Sequence, residues 1–301
     1  NLDNDLLKEV ANLVEMPSLL KGNFDSKYLK LPDFVLIECM KKHQRYFPVY
    51  LNGKLQPSFL VVADNVTPEN KATIVLGNQN VLIARLEDAM FFYQKDLSEN
   101  LESFVSKLNG VVFQKNAGSM LDKQKRIYLI LKFLKDKNWI VYEDSVLNRV
   151  ATYSKFDLVS NMVLEFPSLQ GKMGAIYLEA ASEDKLISMA IKEQYLPAGQ
   201  STRMPTTHLG AVLGLADRFD TLIVSFKCGA NPTGSQDPLG LRRAVIGICD
   251  LIFEIKVSLN IRDMVMFCLE VQDSNNDLAI KILDFFYLRI KTLFKEKNID
   301  Y

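Results

Sequence analysis

The sequence predicts an α+β fold class in two parts, a mixed α/β domain over residues 1–110 and an all-α domain over residues 111–301. Three observations carry this. Runs rich in β-branched residues are confined to the first third. An Asn52-Gly53 pair sits between two such runs, the pattern of a two-residue hairpin. Beyond residue 110, apolar residues recur at spacings of three and four, and Pro and Gly gather at 195–206 and 227–240.

Residues 4–15 carry a short helical pattern that stops before Pro17. Residues 33–37, with the apolar run 34–37, read as a strand. Residues 45–51 and 54–60 flank Asn52-Gly53, and both turn residues accept the positive φ of a type I′ turn. Residues 58–63 and 72–76 also read as strands. Gly77 and Asn78 then open a long helix with Val81, Leu86, Ala89 and Tyr93 near helical spacing. The pattern restarts after Ser98 with Leu101, Phe104, Val105 and Leu108. Asn109-Gly110 is a natural helix stop, because both residues tolerate left-handed backbone, and the domain boundary is placed there. Helices are expected over 121–135, 146–164, 183–194, 207–225 and 238–259, and a last one carries Ile280, Leu283, Tyr287, Ile290 and Phe294.

Lys plus Arg and Asp plus Glu each total 36, so the formal net charge is zero. A chain that binds nucleic acid through its whole field shows an excess of cations. Here any such contact must use local patches. Cys39, Cys228, Cys249 and Cys268 form no C-x-x-C pair and read as free, packed thiols of a reducing compartment. The longest apolar stretch, residues 244–259, is broken by Asp250, Glu254 and Lys256, so no membrane span is expected. No signal peptide is visible, and a cytoplasmic location is expected. The start at Asn1 and the stop at Tyr301, just after a helical pattern, read as a piece of a longer protein.

Four segments carry a resemblance. They are Met40-Lys-Lys-His-Gln-Arg-Tyr-Phe-Pro-Val49, the stretch from Gly77-Asn-Gln-Asn through Arg85-Leu-Glu-Asp-Ala-Met-Phe-Phe-Tyr93, the stretch from Asp157 through Gly171 with Met173-Gly174, and Pro232-Thr-Gly-Ser-Gln-Asp-Pro-Leu-Gly-Leu-Arg-Arg243. In this order, with Ala216-Asp-Arg-Phe-Asp-Thr-Leu222 before the last, they resemble the beta subunit of the bacterial heterotetrameric glycyl-tRNA synthetase over nearly the whole chain. The resemblance implies a central fragment whose second half is an all-α HD-like helical domain. It implies a non-catalytic, tRNA-binding role in ATP-dependent glycylation. The separate alpha subunit of an alpha2beta2 enzyme would hold ATP and magnesium, and this fragment would bind no cofactor itself. The partners it implies are the alpha subunit and glycine tRNA.

An HD phosphohydrolase needs a His, a His-Asp pair and a distant Asp to hold a metal that activates water. This chain has only His43 and His208, and Phe156-Asp157 stands at the expected His-Asp position. Asp217 or Asp220 matches the final Asp. Asp157 and Asp217 are therefore degenerate HD positions, expected to pair with Lys155, Arg218 or Arg242. No catalytic or metal-ligating residue is assigned.

The candidates for tRNA contact are His43, Arg45, Lys123, Arg126, Arg242 and Arg243. His43 and Arg45 interleave with Tyr46 and Phe47, which suits phosphate contact plus base stacking. A solvated surface segment has the same composition. Asp237 and Pro238 suit an N-cap and first helical position, with Arg242 and Arg243 one turn on. Those arginines either grip phosphate or clamp Asp217 and Asp220. Lys123, Lys125, Arg126, Lys132, Lys135 and Lys137 make a basic helix that is either solvated or RNA-facing. The alternatives are an HD-type metal-dependent nucleotide phosphohydrolase and a subunit-assembly module without RNA contact.

Overall fold

The structure, a computed structural model, describes residues 3–42, 44–199, 202–230, 239–275 and 277–296. The chain divides into two compact units, Asn1–Ser98 and Glu99–Tyr301. The first unit runs α1 (Asn4–Ala11), β1 (Ser18–Asn23), α2 (Asp33–Lys41), β2 (Phe47–Leu51), β3 (Lys54–Ala63) and α3 (Lys71–Leu97). Its three strands form an antiparallel sheet in the order β1-β3-β2.

The hairpin between β2 and β3 turns on Asn52 (φ 50°) and Gly53 (φ 77°), as a type I′ turn requires. Leu20, Phe59 and Val61 are buried on the sheet. Helices α2 and α3 bring Leu36, Met40, Leu82, Leu86 and Ala89 to the same core. Gly22 lies opposite Phe59 in the β1–β3 register, and the Phe59 ring fills the space a side chain at Gly22 would take.

Two expected strands are helical instead. Residues 33–37 open α2, whose buried residues Val35, Leu36, Cys39 and Met40 fall on a helical stripe. The short apolar run 34–37 has no period of its own, and its continuation through Met40 decides it. Residues 72–76 are the first turns of α3, so Gly77 and Asn78 lie inside that helix and do not start it. The Asn78 side chain donates to the Ile74 carbonyl (2.7 Å) and accepts from the Tyr46 hydroxyl (2.6 Å). The strand β1 had no signal strong enough to be read from the sequence.

Apart from an isolated bridge between Val112 and Ser119, the regular elements described in the second unit are all helical. It runs α4 (Leu101–Lys107), α5 (Met120–Asp136), α6 (Asp144–Thr152), α7 (Asn161–Glu165), α8 (Lys172–Ala180), α9 (Lys185–Glu193), α10 (His208–Lys227), α11 (Leu241–Ile255), α12 (Ile261–Val271) and α13 (Asp277–Glu296). Phe104 on α4 stacks on Tyr177 at 6.1 Å and meets Phe156 edge-on. Asn109 and Gly110 end that segment as a 3-10 turn, and neither takes a positive φ.

Helix α10 is the centre of this unit. Every residue from Leu209 to Ala216 is buried, and α5, α9, α11, α12 and α13 pack around it. The single helix expected over 146–164 is broken. After α6 the chain makes a 3-10 turn at Phe156–Val159 and then α7. Serine hydroxyls compete with the helical ladder there. Ser154 donates to the Ala151 carbonyl and Ser160 to the Asp157 carbonyl, both at 2.8 Å. Helix α11 begins at Leu241, after Gly240 at φ 66°. The cap expected at Asp237 and Pro238 lies outside the described residues. Helices α8 and α12 were not anticipated. Cys39, Cys249 and Cys268 are buried, whereas Cys228 is exposed.

Candidate functional site

Charged side chains meet in the interior of the helical unit, where α5, the 156–159 turn and α10 converge. Helix α10 carries Asp217 and Asp220 one turn apart. Lys123 reaches both, at 2.9 Å and 3.0 Å, and also donates to the Thr221 hydroxyl at 2.8 Å. Lys155 pairs with the other Asp217 oxygen at 2.9 Å. Arg126 grips Asp220 through Nε at 2.6 Å and its terminal nitrogen at 3.2 Å. Asp220 and Lys123 are almost wholly out of solvent.

The environment of each group follows from its neighbours. Burial raises the Asp217 carboxyl, but the ammonium groups of Lys123 and Lys155 outweigh it and hold Asp217 well below the usual carboxylate range. Burial disfavours the Lys123 charge, and Asp217 and Asp220 more than compensate, so its pKa is raised. Lys155 has one close carboxylate, and burial wins there and lowers its pKa. Its ammonium also sits 4.2 Å from the Tyr195 ring centre.

Asp157 is the third acid of the cluster and is fully buried. One of its oxygens accepts the backbone N–H groups of Gly171 (2.5 Å) and Gly174 (3.1 Å), at the start of α8. Burial pushes its carboxyl up to about 6, against those N–H groups and the Lys155 charge. Of the two positions expected to be degenerate HD residues, Asp217 pairs with Lys155, whereas Asp157 is held by backbone N–H groups. Lys155 pairs with Asp217 as expected, and the other ion pairs on Asp217 and Asp220 come from Lys123 and Arg126, where a clamp by Arg242 and Arg243 was expected.

Arg218, the neighbour of Asp217, points the other way. Its guanidinium donates to the carbonyls of Gln194, Tyr195, Pro197 and Gly214 at 2.9–3.3 Å. Glu193 fixes the far end of the same loop through the Thr206 and Thr207 hydroxyls and the Thr207 N–H. Sequence reasoning missed this clamp, because Arg218 was expected to pair with an aspartate and its actual partners are backbone carbonyls, which leave no mark in the sequence.

The remaining candidates are dispersed. Arg243 is exposed and lines a cleft of about 370 Å³ with Tyr195, Pro197, Gly240, Gly247 and Asp250, and Arg242 is half-buried. Arg45 is exposed and pairs with Glu9 at 2.6 Å. His43 lies outside the described residues. On α5, Lys125 and Lys132 face solvent.

This arrangement is a self-neutralised ionic core. Among the described residues, no three His, Cys, Asp or Glu side chains are grouped as a metal ion requires. Each carboxylate is met by ammonium, guanidinium or backbone N–H groups from within the chain, although the second Asp157 oxygen is buried with no hydrogen-bond partner among the described residues.

Comparison with known proteins gives the family. A family model described as glycyl-tRNA synthetase beta subunit matches residues 1–301. The glycine–tRNA ligase beta subunit of Trichodesmium erythraeum is 42% identical over 313 aligned residues, covering 100% of this chain and 43% of that protein. That of Clostridioides difficile is 42% identical over 305, covering 99% and 44%. A Listeria monocytogenes relative of the same name is 46% identical over 252, covering 83% and 36%. The chain therefore spans less than half the length of these relatives. With the match running from the first residue to the last, the chain belongs to the glycyl-tRNA synthetase beta subunit family.

Proposed function

We propose that this chain is a non-catalytic, tRNA-binding portion of a glycyl-tRNA synthetase beta subunit, with an HD-like second unit. In this reading it supports ATP-dependent glycylation of glycine tRNA in the cytoplasm. The chemistry, with ATP and magnesium, resides in a separate alpha subunit of an alpha2beta2 assembly, and no cofactor binds here.

The observation that carries this reading is the ionic core. A general acid–base pair or a metal-bound water needs carboxylates turned toward a substrate. Asp217 and Asp220 are turned toward Lys123, Lys155 and Arg126, and Asp157 toward two backbone N–H groups. Lys123 and Arg126 then serve to hold the fold, since their charges are spent internally. RNA contact falls to exposed cations, namely Arg243 at its cleft, Lys125 and Lys132 on α5, and Arg45 with the adjacent His43.

Binding of glycine tRNA to the full beta subunit, measured across a salt series, tests this. Affinity is expected to fall steeply with salt, and Arg243→Ala to lower both the affinity and, by about one, the slope of log affinity against log salt. No binding at low salt would overturn the direct-contact reading. Manganese-dependent nucleotide hydrolysis that Asp217→Asn abolishes would overturn the non-catalytic one.

A further inference from the structure

Helix α12 buries one face, through Met264, Val265, Cys268 and Leu269. Its other face carries Asp263, Met266, Phe267 and Glu270, spaced so that all four share one side of the helix. Together with Phe133 at the end of α5, this face forms a groove of about 540 Å³. The floor is aromatic and preformed, with Phe133 and Phe267 stacked at 4.0 Å and 10°. The rim is acidic, with Asp263, Glu270 and Asp273 set against the single cation of Lys137. No ion pair ties down any of those three carboxylates among the described residues. Ser274 also lines the groove, and its hydroxyl has no hydrogen-bond partner.

An aromatic floor beneath carboxylates is the chemistry that receives a guanidinium or ammonium group. Lys137 already uses it, with its ammonium 5.4 Å from the Phe133 ring centre. A nucleic-acid backbone would be repelled by the same rim. The groove is also larger than a lone cation needs, and its size suits side chains of a protein segment.

We propose that this groove docks a basic segment of the sister alpha subunit, with an arginine or lysine laid on the Phe133–Phe267 pair and its charge met by Asp263 and Glu270. This rests on the reading of the chain as part of a two-subunit synthetase. Its charge is opposite to what tRNA requires, which assigns the groove to a protein partner and not to RNA.

The test uses the full-length beta subunit with the purified alpha subunit. Association is measured by sedimentation at two salt concentrations for wild type, Asp263→Lys/Glu270→Lys and Asp263→Asn/Glu270→Gln, with tRNA affinity measured in parallel. The charge reversal is expected to weaken alpha-subunit association about tenfold or more, and the neutral pair about threefold, with no loss of tRNA affinity. Both pairs associating like wild type would overturn the groove while leaving the synthetase role intact. A loss of tRNA affinity in the reversed variant would also overturn it, by placing RNA on this face. Failure of wild type to associate with the alpha subunit at all would sink both readings. Should the reversed variant unfold, the neutral pair still decides, and its unchanged association would refute the proposal.

Discussion

Replacing Lys123 by methionine keeps the length of the side chain and deletes one charge from the ionic core. Lys123 is 2% exposed and touches Asp217, Asp220 and Thr221. Its loss leaves Lys155 as the one cation paired with Asp217 and Arg126 as the one paired with Asp220 among the described residues. Breaking a buried ion pair by removing one partner costs about 3–5 kcal/mol, because a charge stays buried without compensation. For a unit of this size, each kcal/mol lowers Tm by about 2–4 °C, so Lys123→Met is expected to melt roughly 6–20 °C below wild type. Circular dichroism melts at pH 7, with urea titrations for the free energy, measure this. The double variant Lys123→Met/Asp217→Asn removes one charge of each sign. It is expected to be more stable than the sum of the two single effects, by about 1–3 kcal/mol. A Tm within about 2 °C of wild type, which corresponds to about 1 kcal/mol or less, would refute the reasoning, as would strict additivity.

Asp157 should make stability depend on pH. Its carboxyl rises from 3.8 to about 6 on folding, so between about pH 4 and 6 the native state holds the proton more tightly and stability falls as pH rises. The total is about 3 kcal/mol, and Asp157→Asn should gain that much relative to wild type between pH 4 and 7; a flat difference in urea unfolding counts against it. Asp217 has the opposite sign. Its lowered pKa contributes stability that is present above about pH 4 and lost at lower pH, so Asp217→Asn should flatten the acid limb of the unfolding profile. Gly22→Ala places a Cβ 2.4 Å from the Phe59 ring and should cost about 1–3 kcal/mol by thermal unfolding, with no gain from the stiffer residue. Arg218→Lys keeps the charge but cannot spread over four carbonyls, so cleavage within residues 194–199 by limited proteolysis should quicken.

How much of the fold was legible depended on whether local chemistry was decisive. The Asn52-Gly53 hairpin was readable because few other pairs accept two positive φ values in succession. The long helices α5, α10 and α13 were readable because their apolar stripes repeat for several turns. Residues 33–37 and 72–76 were misread as strands, because a run of four or five β-branched and apolar residues carries no period until its helical continuation is included. The break after α6 was missed because its cause is three hydrogen bonds of the Ser154 and Ser160 hydroxyls, each with a carbonyl or N–H nearby in sequence.

The ionic core was half legible. Asp157 and Asp217 stood out by resemblance, yet Lys123 was read as a candidate for tRNA contact on a helix either solvated or RNA-facing. Its position held a usable signal. Lys123 lies in phase with the buried Ile127, Ile130, Leu131 and Leu134, whereas Lys125 and Lys132 fall off that stripe. A cation on the apolar phase of a helix must find a carboxylate inside, because burying it alone is prohibitive.

The segments that carry the family resemblance act in the structure mainly as joints. Tyr46 from the first bonds Asn78 from the second at 2.6 Å. The third closes on itself through Asp157 and the N–H groups of Gly171 and Gly174. The segment 216–222 supplies Asp217 and Asp220 to the core and Arg218 to the loop clamp. Such residues reveal the family because they dictate how the chain folds, and for the same reason most of their hydrogen bonds are already taken. RNA contacts should therefore be sought among cations that the fold leaves in solvent. Among the motif arginines, Arg243 is exposed and opens onto a cleft, which makes its substitution the sharpest separation of folding from binding. Arg243→Ala should lower tRNA affinity while leaving Tm within about 2 °C of wild type, a shift worth no more than about 1 kcal/mol, and Lys123→Met should do the reverse at temperatures where it stays folded.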